Sequence, residues 1–184
     1  MLLTLSFLLF AFSTNLLLSF SQGAEQVLDR YGKPLIAARK YYIVPGIFGP
    51  TGGGVGLGKT GNSTCQLLGF IFIGLPLEIA SEEKPQCATS SNWVAVVDDF
   101  PLKWVGIGGA KDHPGKKIIT GSFNIQAFDA SYKLLFCPTM SASASTCFDI
   151  GRYDDVGGRR LVLTKDHPYQ VGFIVADATR SSID

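Results

Sequence analysis

Residues 27–43 read VLDRYGKPLIAARKYYI, and this stretch combines a turn signal with strand signals on both sides. Asp29 and Gly32 are turn-forming residue types, so we expect the chain to reverse there between two strands. The YYI run that ends the stretch is aromatic and β-branched, which is typical of a strand. Because side chains alternate across a strand, Tyr41 and Ile43 are expected to pack inward on the same face.

The rest of the chain repeats this pattern of short apolar runs broken by glycine, proline and aspartate. Each run is aromatic or β-branched and is bounded by turn residues, which indicates strands. No stretch after Ala24 shows a sustained helical period with caps. The chain is therefore predicted to be all-β, as a sandwich or a barrel. The predicted strands are 41–44, 93–97, 132–136, 161–163 and 171–175.

One four-residue motif occurs twice. Lys111–Pro114 reads KDHP, and Lys165–Pro168 reads KDHP again 54 residues later. Each copy follows an apolar run and precedes another. A period of this size favours a three-fold barrel built from units of four strands.

The first residues favour secretion. Residues 1–22 contain no Asp, Glu, Lys or Arg and are rich in Leu and Phe, and small residues follow around Gly23. We interpret residues 1–23 as a signal peptide, with an uncleaved membrane anchor as the alternative. Residues 24–184 then form one domain, secreted to the extracellular space or the vacuole, with no stable membrane association. At a net charge of +1 the chain has no electrostatic reason to bind nucleic acid.

Four cysteines follow the predicted cleavage site, at Cys65, Cys87, Cys137 and Cys147. In a secreted protein an even number favours two disulfides, and the count alone leaves three pairings open. Cys137 and Cys147 are close enough in sequence to close a local loop, which would leave the other two as a pair. No CxxC pair or histidine cluster is present, so no metal site is predicted. Asn62 begins an Asn-Ser-Thr sequon, which predicts an N-linked glycan.

Other motifs raise alternatives that we weigh against simpler interpretations. Residues 53–60 read GGVGLGKT, a phosphate-loop pattern, but no helix start follows, so we interpret a glycine-rich loop. Both histidines lie in the KDHP turns and no G-x-S-x-G elbow is present, so neither an enzyme nor a cofactor is predicted. Arg159 and Arg160 are a candidate second inhibitory surface, with a solvated basic pair at the start of a strand as the simpler interpretation. Trp93 and Trp104 are expected in the core or in an interface.

Longer patterns resemble one family. Residues 27–43 are similar to the N-terminal signature of the soybean-type Kunitz protease inhibitors, with an aliphatic residue, Asp two positions on, Gly three further, and a Tyr-x-aliphatic strand. The similarity continues through a glycine-rich stretch before the first cysteine, a tryptophan after the second, and the surroundings of the third and fourth. The further matching segments are 52–54, 61–65, 87–93, 104–109, 132–138, 147–151 and 159–161.

This resemblance implies a β-trefoil of up to twelve strands, or one fewer if a strand is missing here. It also implies that Cys65 pairs with Cys87 and Cys137 with Cys147. By the same resemblance the protein is a monomeric plant defence protein whose partners are trypsin-type serine endopeptidases. Inhibitors of this kind present a rigid, substrate-like loop whose basic side chain enters the protease, and preorganisation makes the binding tight.

The interval between Cys65 and Cys87 departs from the family. Cys87 follows Cys65 by 22 residues, a shorter distance than the family has. Residues 74–79, GLPLEI, resemble the strand before the reactive loop, and we interpret the loop and the following strand as missing. Lys84, followed by Pro85, is the one basic residue in this interval and the reactive-site candidate, with a solvated turn as the alternative.

The predicted function is thus a secreted serine-protease inhibitor of this family with its inhibitory loop deleted. The alternative is a non-inhibitory trefoil that serves in storage or binds another partner. A trefoil that lacks one strand leaves an open edge unless Leu77–Ala80 takes the vacant position.

Overall fold

The computed structural model describes residues 24–46, 55–57, 69–139, 147–156 and 158–176. These ranges contain ten β-strands, one short 3-10 helix at Ala110–Asp112 and no α-helix, which confirms the predicted all-β class. In chain order the strands are β1 (Tyr41–Pro45), β2 (Val55–Leu57), β3 (Trp93–Val97), β4 (Trp104–Ile107), β5 (Lys117–Ile119), β6 (Gly121–Phe128), β7 (Ser131–Pro138), β8 (Phe148–Asp155), β9 (Gly158–Thr164) and β10 (Gln170–Val175).

Antiparallel pairs join the ten strands in the order β2-β1-β10-β7-β8-β9-β4-β3-β5, and β6 pairs with β7. β7 is the most connected strand because it pairs with β6, β8 and β10. Most pairs join strands that follow one another, whereas β1 pairs with β10. Within the described ranges the path does not close between β2 and β5.

The turn predicted at Asp29–Gly32 is present. Leu28 and Pro34 form an antiparallel bridge, and the Gly32 N–H donates to the Asp29 carbonyl at 3.0 Å. Gly32 has a φ of 75°, a left-handed conformation that glycine adopts without strain. Asp29 is 7% exposed, and its Oδ1 accepts hydrogen bonds from the N–H groups two and four residues later, at 2.8 and 2.9 Å. The side chain therefore holds the turn together.

Replacing Asp29 by alanine should lower the free energy of unfolding by about 1–2 kcal/mol, because two hydrogen bonds to a carboxylate are lost. Chemical denaturation followed by circular dichroism measures the change. Asp29→Asn is the matched control, since its amide oxygen still accepts a hydrogen bond, and it should lose clearly less. Equal losses for the two variants would contradict this role.

A single hydrophobic core lies beneath these strands. Tyr41 and Ile43 are 2% and 3% exposed, as predicted from the alternation of β1. Trp93 is also buried there and meets Phe123 edge to face, with ring centroids 5.9 Å apart. Strands from all parts of the described chain contribute to this core, whose other members include Val27, Leu35, Ile79, Ala95, Ile125, Leu134, Phe136, Ile150, Leu163, Val171 and Phe173.

The first KDHP copy lies between β4 and β5, and the second lies between β9 and β10. The first copy contains the end of the 3-10 helix, and the second forms a turn that leads into β10. Their contacts differ. His113 Nε2 lies 3.1 Å from the Ile107 carbonyl oxygen and its ring packs against Trp104 at 5.6 Å, whereas His167 is exposed. Both histidines thus lie in turns, as predicted.

Candidate functional site

The reactive-site candidates Lys84 and Pro85 lie in a turn that precedes β3. At the base of the turn the Ser81 N–H donates to the Ser91 carbonyl at 2.8 Å. Inside it the Ala88 N–H donates to the Pro85 carbonyl at 3.0 Å. The segment is therefore a compact, hydrogen-bonded reversal.

The Lys84 side chain is exposed, but its ammonium group is engaged within the turn. Nζ donates to the Ala88 carbonyl at 2.8 Å. In the same turn Glu82 forms an ion pair with Lys40, at the entry to β1. A basic side chain that enters a protease pocket must project away from its loop, and Lys84 instead bends back. This geometry favours the solvated turn over an inhibitory loop.

The segment before this turn is part of the sheet. Leu77–Ala80 lies between β6 and the start of β3, and Ile79 and Ala80 are buried. The Trp93 N–H donates to the Ile79 carbonyl at 2.8 Å. Two single-residue bridges hold this segment, Leu77–Phe123 and Ala80–Asn92, and two more, Gln26–Phe72 and Ile36–Phe70, hold residues 70–72 before it.

The structure contains the disulfide between Cys137 and Cys147, with an S–S distance of 2.02 Å. Cys87 is exposed and has no disulfide partner among the described residues. Cys65 lies outside those residues, so the Cys65–Cys87 pairing stays a prediction. The sequon at Asn62 and the predicted signal peptide, residues 1–23, also lie outside the described part of the chain.

The phosphate-loop-like motif contains a strand. Val55–Leu57, its middle part, forms β2 and pairs with β1. A phosphate loop needs successive backbone N–H groups that face the anion, and a paired strand does not present them in that way. The remaining motif residues, 53–54 and 58–60, lie outside the described ranges.

Among the residues that the structure describes, no group of three or more His, Cys, Asp or Glu side chains is placed to hold a metal ion. No helix among the same residues is long and apolar enough to cross a membrane.

Asp112 connects the segment after Cys87 to the 3-10 helix. Its Oδ1 accepts from the Thr89 N–H at 2.8 Å, and its Oδ2 accepts from the Thr89 hydroxyl and the Gly109 N–H, both at 2.7 Å. The hydrogen bond from the Thr89 hydroxyl is the main cause that holds the pKa of Asp112 below its usual value of 3.8. Desolvation acts in the opposite direction and raises this pKa.

The lowered pKa makes this connection depend on pH. A carboxyl whose pKa is lower in the folded chain stabilises fully above its unfolded value, near 3.8, and loses that contribution as the pH falls further. We therefore expect Asp112→Asn to reduce the difference in denaturation midpoint between pH 6 and pH 3. An unchanged difference in the variant would contradict this role.

The sequence analysis considered Arg159 and Arg160 together, but the structure separates their contacts. Arg159 Nε lies 3.8 Å from Asp154 Oδ1. The Arg160 guanidinium lies over the rings of Phe100 and Trp104, at 4.9 and 5.8 Å from the centroids. Sequence reasoning missed Phe100, which lies between strands and carries no pattern of its own.

Known proteins have sequences similar to this one. Residues 68–174 match the Kunitz_legume family model, described as trypsin and protease inhibitor. The Kunitz-type trypsin inhibitor-like 2 protein of Pisum sativum is 44% identical over 204 aligned residues, with 96% of this chain and 93% of the relative covered. The subtilisin inhibitor CLSI-II of Canavalia lineata is 42% identical over 186 aligned residues, with 86% and 96% covered.

A solved structure also shares the architecture. The crystal structure of a Kunitz type trypsin inhibitor from Cicer arietinum matches with a TM-score of 0.70 and 43% sequence identity, and the match covers 83% of this chain and 99% of that one. This neighbour confirms the predicted β-trefoil fold. The described strands form that fold with the sheet left unclosed.

Proposed function

This chain belongs to the legume Kunitz family of trypsin and protease inhibitors, and we propose that it acts as a secreted inhibitor of serine endopeptidases. The observation that carries the proposal is the identity of 44% and 42% with relatives whose names refer to inhibition of trypsin and of subtilisin. The family model is described as trypsin and protease inhibitor and both of these relatives are named as inhibitors, so we propose binding without catalysis, as a monomer and without a cofactor.

Secretion is supported by the uncharged, Leu- and Phe-rich residues 1–22 and by the Cys137–Cys147 disulfide, since such bonds persist in oxidising compartments. N-terminal sequencing of the protein from plant tissue tests it. A mature chain that begins near Gly23 is expected, and an intact Met1 would contradict the proposal.

The family's inhibitory loop is proposed to be shortened. The alignment with the pea relative spans 204 positions, whereas this chain has 184 residues. At least 20 positions of that alignment therefore have no residue of this chain. A missing segment of that length is long enough to contain a strand as well as a turn.

We infer that the absent segment precedes Leu77 and does not follow Ile79. The second unit of the trefoil runs β3, β4, β5, β6, and the third runs β7, β8, β9, β10. The first unit has β1 and β2, and Leu77–Ala80 corresponds to its last strand. Among the described residues no named strand stands between β2 and Leu77, so the third strand of this unit is the one that is short or absent.

The pairing of Leu77–Ala80 supports this register. The last strand of each other unit pairs with the first strand of the next, as β6 pairs with β7 and β10 with β1. In the same way Ala80 bridges Asn92, and the Ile79 carbonyl accepts from the first residue of β3. The family-model match, which starts at residue 68, agrees with a break before that position. Lys84 then lies outside the segment that carries the family's loop.

Lys84→Ala is therefore expected to leave protease inhibition unchanged, because the ammonium group already binds the Ala88 carbonyl and does not project from the turn. Active-site titration of each sensitive protease with both proteins measures the effect. If the variant lost tight binding, the reactive bond would be Lys84–Pro85 and our placement of the loop would be wrong.

The proposed function itself is tested by titrating the purified protein, residues 24–184, against trypsin, chymotrypsin and subtilisin. Stoichiometric inhibition of at least one of them is expected. Papain is the control for protease class, and inhibition of papain alone would contradict the assignment to serine endopeptidases.

A second function is favoured by one observation already described, the positions of the alignment that have no residue of this chain. In this second function the protein is a trefoil that stores nitrogen or binds another partner without inhibiting proteases. A correctly folded protein that inhibits none of the tested enzymes would support this second function and contradict the first.

A further inference from the structure

A pocket opens between β4 and β9. The two strands pair at one position, Trp104 with Val162. The pocket beside this pair has a volume of about 310 Å³, at the lower end of the range for small-molecule sites. Its lining includes Ser81, Trp93, Trp104, Ile107, Arg160 and Leu161.

Both tryptophans of the chain line this pocket, and both indole N–H groups are engaged. Trp93 Nε1 donates to Ser81 Oγ at 3.2 Å, and Trp104 Nε1 donates to Asp98 Oδ1 at 3.1 Å. Trp93 is 6% exposed and Trp104 is half-buried, so the indoles offer part of their ring surface and no free donor. A flat apolar ring is the group that such walls accommodate best, by stacking or by edge contacts.

Arg160 adds a positive charge to these apolar walls. Its guanidinium is held by the faces of Phe100 and Trp104, at 4.9 and 5.8 Å. The side chain is half-buried and forms no hydrogen bond or ion pair with the residues that the structure describes. A guanidinium presents five donors in a planar fork that matches a carboxylate, so an anion is the expected partner.

The neighbouring carboxylates are already paired with other cations. Asp98 Oδ2 accepts from Lys116 Nζ at 2.7 Å. Asp154 has two other arginines near its carboxylate, at 3.1 and 3.8 Å. Neither Asp98 nor Asp154 forms an ion pair with Arg160, so its guanidinium remains open to an anion beside the aromatic surface.

We propose that this pocket binds a small aromatic carboxylate, with the ring against Trp93 and Trp104 and the carboxylate on the Arg160 guanidinium. The apolar walls select a ring, and the fork of donors selects a planar anion. The proposal does not depend on protease inhibition, because every residue that lines the pocket follows Leu77, whereas the shortened loop is placed before Leu77.

The two tryptophans make the test direct, because they are the only ones in the chain. The probe is 1-naphthoate, titrated into ¹⁵N-labelled protein while the two indole N–H resonances are followed by NMR. Both resonances are expected to shift and to saturate. The neutral analogue 1-naphthalenemethanol should bind at least about tenfold more weakly, since it cannot accept a charge-assisted hydrogen bond.

Two variants complete the test. Arg160→Gln should weaken naphthoate binding at least about tenfold, whereas Arg152→Gln, which removes a nearby exposed arginine outside the pocket, should not change it. Equal affinity for the acid and the alcohol, or unchanged binding in Arg160→Gln, would overturn the proposal. If Arg160→Gln did not fold, the comparison of acid with alcohol in the unmodified protein would still decide.

Discussion

Phe136→Ala is expected to lower the free energy of unfolding by about 3–5 kcal/mol, the cost of truncating a large buried aromatic side chain. Phe136 is 1% exposed and meets Phe123 edge to face, with ring centroids 5.2 Å apart. It lies on β7, which pairs with three other strands, so a cavity there faces rigid sheet and cannot collapse easily.

Guanidinium denaturation at neutral pH measures this loss. Phe70→Ala is the matched control, since the same side chain is removed from a position that is 49% exposed, and it should lose well under half as much. Similar losses at the two positions would show that Phe136 is not at the centre of the core.

Removal of the Cys137–Cys147 disulfide is expected to cost about 2–3 kcal/mol, chiefly because the unfolded chain gains freedom. The bond closes a sequence separation of 10 and joins the end of β7 to the residue before β8. These strands share just two paired positions, Leu135 with Asp149 and Phe136 with Phe148. The covalent bond therefore supports a weak part of the sheet.

The double variant Cys137→Ser, Cys147→Ser measures this cost by the same denaturation. An unchanged midpoint would contradict it. Denaturation of the double variant with and without dithiothreitol then tests the other predicted pair. A further loss on reduction is expected if Cys65 and Cys87 are bonded, and no change would show that the resemblance assigns this pair wrongly.

The sequence predicted those parts of the fold whose causes are local. Asp29 and Gly32 make their turn through contacts within five residues, so residue type alone reveals it. Runs such as 93–97 and 171–175 show strands because β-branched and aromatic residues dominate them. β6 and β8 are not among the predicted strands, because polar residues interrupt both. β6 is stabilised by pairing with β7, and β8 by pairing with β9.

The candidate site could be predicted less well, because its geometry depends on pairing between distant residues. The likeness of residues 74–79 to a strand before the loop suggested a deletion after Ile79. The bridges of Leu77 and Ala80 support a different register, which sequence similarity over six residues cannot reveal. The Arg160 pocket likewise needs β4 beside β9, an adjacency that no local pattern records.

The pairing of β1 with β10 has a consequence for the order in which the protein folds. Tyr41 pairs with Val175, 134 positions later, and the Arg30 N–H donates to the Phe173 carbonyl in the same region. β1 can pair with β2 early, but its other edge has no partner until residues 171–175 have left the ribosome. Pairings between such distant residues slow folding, because a long loop must close before the contacts repay its entropy. The nascent chain thus carries one unpaired edge of β1 until residues 171–175 have been synthesised.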